Sequence, residues 1–188
     1  MMRALIPLLF FLAQPFWETK APEQWTNREI DEIRSNSPWA QTVGPSPGVL
    51  VYLATAAPIE QAEAEARLRT RNPLREPDPD YLDFLREYRD RNLVLAIPYA
   101  TLAGLGKGEE ERKMEEESRM IVGRKEYKIV GHFPPTPSDP VLRLVFPREV
   151  RPSDKSVVFQ LYLPGIDFPD RTVEFRVKDL TYRGKLEM

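Results

Sequence analysis

The side chains best suited to catalysis are scarce in this sequence. It contains one histidine, His132, and no cysteine. Without cysteine, the chain has no disulfides, thiolate zinc sites or cysteine nucleophiles. A serine triad needs an imidazole base, and a metal site usually needs several converging ligands. His132 stands beside Phe133 with no candidate partner at a matching spacing, so we predict no catalytic or metal-binding role for it.

Two stretches resemble ligand-binding motifs but depart from them. Asp78, Asp80 and Asp83 lack the central glycine and the distant glutamate of a calcium loop. Asp78 fits a helix N-cap instead. Residues 104–108 (GLGKG) match neither the dinucleotide-binding spacing nor the phosphate-loop spacing. We therefore predict no cofactor and no metal.

Carboxylates are plentiful, and their positions favour solvation over catalysis. Residues 109–111 and 115–117 are all glutamates on a polar segment. Such neighbours cannot hold two carboxyl groups across a cleft, as glycoside hydrolysis requires. The alternative is a cell-envelope hydrolase that uses a carboxylate pair contributed by distant loops. Its candidate residues are Asp139, Asp154, Asp167 and Asp170.

Aromatic side chains offer a different function, the capture of a partner. Trp25 and Trp39 bracket a short helix that a capping box of Thr26 and Glu29 predicts. Tryptophan is enriched at binding hot spots, so we predict Trp25 and Trp39 as partner-binding residues, with core packing as the alternative. Trp17, Tyr52, Tyr81 and Tyr88 are further candidates for a peptide or carbohydrate groove, and core positions are the more ordinary explanation for them.

The overall charge balance bears on the kind of partner. The chain has 27 Lys and Arg against 29 Asp and Glu, so no net positive field favours nucleic acid. We expect no nucleic-acid partner. The expected partner is another envelope or secreted protein, and the edge strands of a sheet could pair with it.

The N-terminus predicts export. Arg3 precedes an unbroken apolar run over residues 4–13 (ALIPLLFFLA), which is the order found in a signal peptide. The run is shorter than the roughly 20 residues that span a bilayer. Ala13 suits the last position before cleavage, whereas Phe11 suits the −3 position poorly. We predict a periplasmic or secreted protein, with two alternatives: an uncleaved membrane anchor over residues 1–21, or a buried N-terminal helix.

Strand and helix patterns alternate in the first half of the chain after the leader. Residues 49–55 and 93–99 are apolar runs of strand length. Between them we predict one helix that opens at Pro58 and a second that Asp78 caps. The connection is long enough for the two strands to be parallel neighbours, although nothing in the sequence decides this.

The last third of the chain changes to a period of two. Residues 157–163 and 173–177 carry apolar side chains at alternate positions, which predicts an antiparallel sheet. A two-residue turn or a bulge at Lys178 and Asp179 would explain a later change of parity. We predict an α+β fold, in which a strand–helix–helix–strand half packs with a C-terminal antiparallel β-sheet in a sandwich-like arrangement.

The segment between these two parts is the best candidate for an internal boundary. Residues 107–119 contain one apolar residue, Met114, and show no apolar face. This pattern predicts a solvated helix or an exposed linker. We therefore expect residues 22–188 to form one globular domain, with a possible subdivision near residues 104–119.

Four short features resemble a group of uncharacterised exported bacterial proteins. They are the signal-like leader, Trp25 with residues 37–40 (SPWA), residues 146–148 (FPR) and residues 182–187 (YRGKLE). The resemblance spans nearly the whole chain after the leader and implies export and a single architecture. It implies no catalytic residue. The resulting prediction is an exported, non-enzymatic protein that binds a partner or has a structural role in the cell envelope.

Overall fold

The protein has an α+β fold, seen in a computed structural model that describes residues 14–46, 48–70, 77–99 and 108–188. The leader run and residues 104–107 of the glycine-rich stretch lie outside these ranges. The helices are α1 (Phe16–Thr19), α2 (Asn27–Ser35), α3 (Ala57–Thr70), α4 (Pro79–Tyr88) and α5 (Gly108–Glu117), with short 3-10 helices at Pro22–Gln24 and Val177–Asp179. Of the helices in these ranges, none has the length and hydropathy to cross a membrane.

The strands form two larger antiparallel sheets and one small hairpin. They are β1 (Ala40–Val43), β2 (Val49–Leu53), β3 (Asn92–Pro98), β4 (Arg119–Val122), β5 (Lys125–Lys128), β6 (Gly131–Phe133), β7 (Val141–Pro147), β8 (Ser156–Tyr162), β9 (Asp170–Arg176), β10 (Thr181–Tyr182) and β11 (Lys185–Leu186). The first sheet has the order β1-β2-β3-β7-β6 and the second has the order β5-β4-β8-β9. β10 and β11 pair with each other.

The period-two pattern produces the face that β8 and β9 turn to the core. Val157 and Phe159 of β8 are fully buried, as is Phe175 of β9, while the residues between them are more exposed. Phe159 also contacts Phe146 of β7 with ring centroids 5.3 Å apart. This contact joins the two sheets, and the buried residues of both form one hydrophobic core.

The two apolar strands of the first half are neighbours, but they run antiparallel. Tyr52 of β2 lies opposite Ala96 of β3, and Leu53 lies opposite Leu95. The strand direction, which the sequence left open, is therefore antiparallel. A connection with two helices reverses the chain once more than the single-helix crossover of a parallel pair. The chain consequently enters β3 in the opposite direction.

The change of parity after β9 has a different cause from the turn or bulge expected at Lys178 and Asp179. Residues Val177–Asp179 form a 3-10 helix, in which the Leu180 N–H donates to the Val177 oxygen at 3.1 Å. A spacing of three residues brings Val177 and Leu180 to the same side of this turn. Both are buried, so the core is maintained without a hairpin.

Candidate functional site

The two tryptophans predicted to bind a partner lie in the core. Trp25 is 2% exposed and Trp39 is 0% exposed. Trp25 and Ile30 occupy the two positions of a hydrophobic staple at the start of α2, and Ile30 is also buried. The structure therefore places neither ring on a surface where a partner could contact it. Tyr52 and Tyr81 are buried as well, whereas Tyr88 is 37% exposed.

Residues from three of the short sequence motifs, those at 37–40, 146–148 and 182–187, make contacts at one place. The Trp39 indole N–H donates to the main-chain oxygen of Glu187 at 2.9 Å. The Glu187 carboxylate accepts from the Ala57 N–H at the start of α3 (3.2 Å), and the Arg148 guanidinium donates to the Met188 oxygen at 2.8 Å. We call Trp39, Arg148, Glu187 and Met188 the closing junction, because they fix the last residues of the chain against the core.

The side chains of the closing junction are hydrogen-bonded mainly to main-chain groups. Met188 is 2% exposed, and Arg148 also donates to the Arg89 main-chain oxygen at 3.3 Å. Burial and the nearby charge of Arg89 lower the pKa of Arg148. Its guanidinium is thus engaged with two main-chain oxygens.

His132 has partners that the sequence did not suggest. Its Nε2 lies 2.8 Å from Glu111 Oε1, and its Nδ1 lies 3.1 Å from Glu115 Oε1. The signal was the i,i+4 spacing of Glu111 and Glu115, which places both on one face of α5. Both ring nitrogens of His132 therefore face a carboxylate of α5.

The same cluster does not form a metal site. The two carboxylates contact opposite edges of the His132 ring and do not converge on a common point. Across the described ranges, no group of three or more His, Asp and Glu side chains is arranged to hold a metal ion.

The helix that carries these carboxylates is docked on the sheets and is not an exposed linker. Met114 of α5 is 0% exposed, so the segment expected to have no apolar face buries its one apolar side chain. Glu110 accepts from the Tyr162 hydroxyl at 2.8 Å, and this hydrogen bond raises the pKa of Tyr162. Since His132 belongs to β6 and Tyr162 to β8, α5 ties the two sheets together.

The aspartates considered for a hydrolase have separate structural roles or lie apart. Asp139 pairs with Arg143 at 2.7 Å, and Asp154 accepts from the Arg151 N–H at 2.7 Å. Asp167 lies in the loop before β9 and Asp170 is the first residue of β9, and both are exposed. Asp139 and Asp154 are therefore each bound to a partner other than these carboxylates.

The helix-capping role of Asp78 is confirmed. Its carboxylate accepts from the Asp80 N–H at 2.8 Å at the start of α4. Asp83 pairs with Arg86 one turn later. These contacts account for the aspartates that resembled a calcium loop.

The loop between β8 and β9 exposes an aromatic residue that has none of these structural roles. Phe168 is 74% exposed and has a φ of 53°. A positive φ is uncommon for a bulky residue, and helical backbone angles are further disfavoured before a proline such as Pro169. Strained residues of this kind cluster at functional sites. We call residues 163–169 the Phe168 loop.

Buried polar side chains hold the Phe168 loop in place. The Arg171 guanidinium, on a side chain that is almost fully buried, donates to the main-chain oxygens of Asp167 (3.1 Å) and Asp170 (2.9 Å). The Tyr99 hydroxyl donates to the Pro164 oxygen at 3.1 Å, and burial raises the pKa of Tyr99. The loop is therefore braced from beneath while its aromatic ring faces outward.

The first sheet contributes to this brace through a glycine. Gly44, at the end of β1, has a φ of 87°, and any side chain added to it would collide with the side chain of Arg171. Glycine is the residue that adopts this backbone conformation and close approach without strain. The hairpin after β1 thus packs directly on Arg171.

Sequence reasoning missed Phe168, although a signal was present. Residues 167–170 (DFPD) place an aromatic side chain between two aspartates and directly before a proline. The polar residues around Phe168 form no apolar face with it, whereas the aromatic residues of the strands belong to alternating apolar faces. This difference distinguishes Phe168 from them.

Comparison with known proteins adds no relative. No protein-family model matches the chain. No curated protein matches it, and no solved structure matches its fold.

Proposed function

We propose that this protein is an exported, non-enzymatic domain that binds a partner protein through the Phe168 loop. The observation that carries the proposal is Phe168, a large apolar side chain that is 74% exposed on a strained and braced backbone. Burying such a ring in a partner's pocket would release it from water, and aromatic residues contribute strongly to binding at the centre of interfaces.

The brace makes the loop a favourable binding element. A flexible loop loses conformational freedom when it binds, and this loss opposes association. The hydrogen bonds from Arg171 and Tyr99 fix the main chain of the loop before any partner arrives. The loop therefore loses its conformational freedom during folding, and binding a partner requires little further loss.

The charges beside Phe168 define the chemistry of the partner. Asp167 and Asp170 flank the ring, and both are exposed. Their carboxylates would be attracted to a pocket rimmed by lysine or arginine and repelled by an anionic lipid surface. We infer an apolar pocket with a basic rim on another envelope or secreted protein.

Strand addition at a sheet edge is a weaker candidate for the binding mode. β5 is an edge strand of the second sheet, and Lys125, Glu126 and Lys128 are exposed along it. Charged side chains on an edge strand are a common protection against pairing with other chains. The Phe168 loop instead presents a large apolar side chain that is 74% exposed.

Export rests on the charge-then-apolar order of the leader and is tested by mass. We expect the native protein from separated cell fractions to be soluble in the periplasm or medium and shorter by about 13–21 residues. A full-length form in the membrane fraction would instead support the uncleaved anchor. A full-length form in the cytosol would contradict export.

Partner binding is tested by photo-crosslinking from the loop in cells that make the full chain. A photoreactive amino acid replaces Asp167, next to Phe168. The matched control position is Leu68, which is 70% exposed on α3. We expect one discrete adduct from position 167 and none of the same mass from position 68.

A second chain separates binding from folding. It carries the probe at position 167 together with Phe168→Ala. We expect the adduct to be lost while the urea unfolding midpoint stays unchanged, because Phe168 has little contact with the core. Identical adducts from positions 167 and 68, or an adduct that survives Phe168→Ala, would show that the loop is not the binding element.

A further inference from the structure

A second surface feature lies at the other end of β9 from the Phe168 loop. It is an open groove of ≈ 1170 Å³. Its walls come from α1, the turn after α2, and the edge strands β1 and β9. The groove shares no lining residue with the Phe168 loop, so an activity of this groove is independent of the proposed partner binding.

Main-chain groups of both edge strands are already hydrogen-bonded at this groove. The Ala40 N–H donates to the Ser37 oxygen at 3.1 Å, and the Ala40 oxygen accepts from the Ser37 N–H at 3.3 Å. The Gln41 side-chain amide donates to the main-chain oxygen of Glu174 on β9 at 2.9 Å. A peptide that added to either edge as a strand would need such groups. The groove therefore disfavours strand addition.

Recognition in the groove falls to side chains of mixed character. Trp17, which is half-buried, contributes aromatic surface to the wall, and the exposed Asn36 and Thr42 contribute neutral donors and acceptors. Two of the charged residues neutralise each other, since Arg176 pairs with Asp179 at 2.6 Å. No strong charge of one sign is left to select a polyanion or a polycation.

This combination matches a carbohydrate chain. Sugar rings present C–H faces that pack on aromatic side chains, and hydroxyl groups that both donate and accept hydrogen bonds. The volume exceeds that of most small-molecule pockets (about 300–1,000 Å³), which favours an extended ligand over a single small one. We propose that the groove binds a neutral oligosaccharide, with Trp17 against a sugar face and Asn36 and Thr42 on its hydroxyl groups.

The test measures binding of defined probes to the purified protein. The probes are chitopentaose, cellopentaose and maltopentaose, with an uncharged pentapeptide of Gly, Ser and Ala for comparison. Titration is followed by tryptophan fluorescence and by isothermal calorimetry. Because Trp17→Ala also removes packing against Trp39, the deciding variant is the double substitution Asn36→Ala and Thr42→Val, whose side chains are exposed.

The control variant is Gln160→Ala, an exposed position of β8 outside the groove. We expect saturable binding of at least one oligosaccharide, weakened about tenfold or more by the double substitution and unchanged by Gln160→Ala. Absence of saturable binding to all three sugars would overturn the proposal. So would equal affinities of the double variant and the control, or a groove-dependent affinity for the pentapeptide alone.

Discussion

The closing junction and the Phe168 loop are both held by an arginine side chain, but one buries an apolar side chain and the other exposes one. In each, an arginine side chain donates to main-chain oxygens: Arg148 holds Met188, and Arg171 holds the Phe168 loop. Met188 is 2% exposed, whereas Phe168 is 74% exposed. A guanidinium on carbonyl oxygens thus fixes the backbone in both places, and burial of the apolar side chain decides whether the result is stability or an available binding surface.

This comparison predicts its largest effect at Trp39. We expect Trp39→Ala to lower the free energy of unfolding by about 3–5 kcal/mol, because a fully buried indole is replaced by a cavity. It also deletes the hydrogen bond to Glu187. Urea unfolding measures the change, with Phe168→Ala as the control, for which we expect less than about 0.5 kcal/mol. Equal losses at the two positions would contradict the assignment of Trp39 to the core and of Phe168 to the surface.

Substitution of the two arginines should have effects of intermediate size that differ in kind. We expect Arg148→Met to lower the free energy of unfolding by about 1–3 kcal/mol, since the Met188 oxygen loses its donor. Arg171→Met should instead release the Phe168 loop, so that limited proteolysis cuts at residues 163–169 before the rest of the protein unfolds. Cleavage at the same rate in Arg171→Met and in the unsubstituted protein would mean that Arg171 does not brace the loop.

The backbone of Phe168 provides a smaller and more specific effect. Glycine adopts a positive φ without the steric cost that alanine has. We therefore expect Phe168→Gly to be more stable than Phe168→Ala by about 1 kcal/mol. At Val130, which is also exposed but is not among the residues with positive φ, the same pair of substitutions should favour alanine. A preference for alanine at position 168 would show that the loop is not strained in solution.

The smallest expected effect is on the pH dependence of stability, through Glu29 in the first turn of α2. The hydrogen bond from Lys20, together with those from Thr26, lowers the pKa of Glu29 from 4.5 to about 2. A carboxyl group with a depressed pKa stabilises the fold above its unfolded value and loses this contribution as the pH falls through its folded value. We expect the unfolding midpoint of Glu29→Gln to depend less on pH between about 4.5 and 2 than that of the unsubstituted protein. Parallel pH profiles would contradict the contact.

Local patterns were sufficient to predict several elements of the fold, although not α1 or β1. The alternation in β8 and β9, and the caps at Thr26 and Asp78, depend on neighbours within a few residues and therefore show in the sequence. The relative direction of β2 and β3 depends on the path of the chain through two helices. No local sequence pattern indicates that path.

The surface features depend on contacts between distant residues and were not predictable in the same way. Phe168 is presented by Arg171 and Tyr99, and Tyr99 lies 65 residues before its acceptor, Pro164. The enrichment of tryptophan at binding hot spots suggested Trp25 and Trp39 as the binding site, but both indoles are buried in the core. Trp39, Arg148 and Glu187, which belong to three of the short motifs, likewise make contacts between distant parts of the chain.

Binding through the Phe168 loop is tested most directly by the yield of the photo-crosslink from position 167 in chains with and without Phe168→Ala. We expect the yield to drop about tenfold or more when the ring is removed, with an unchanged unfolding midpoint. Equal yields from the two chains would contradict the claim that this loop is the surface through which the protein binds its partner.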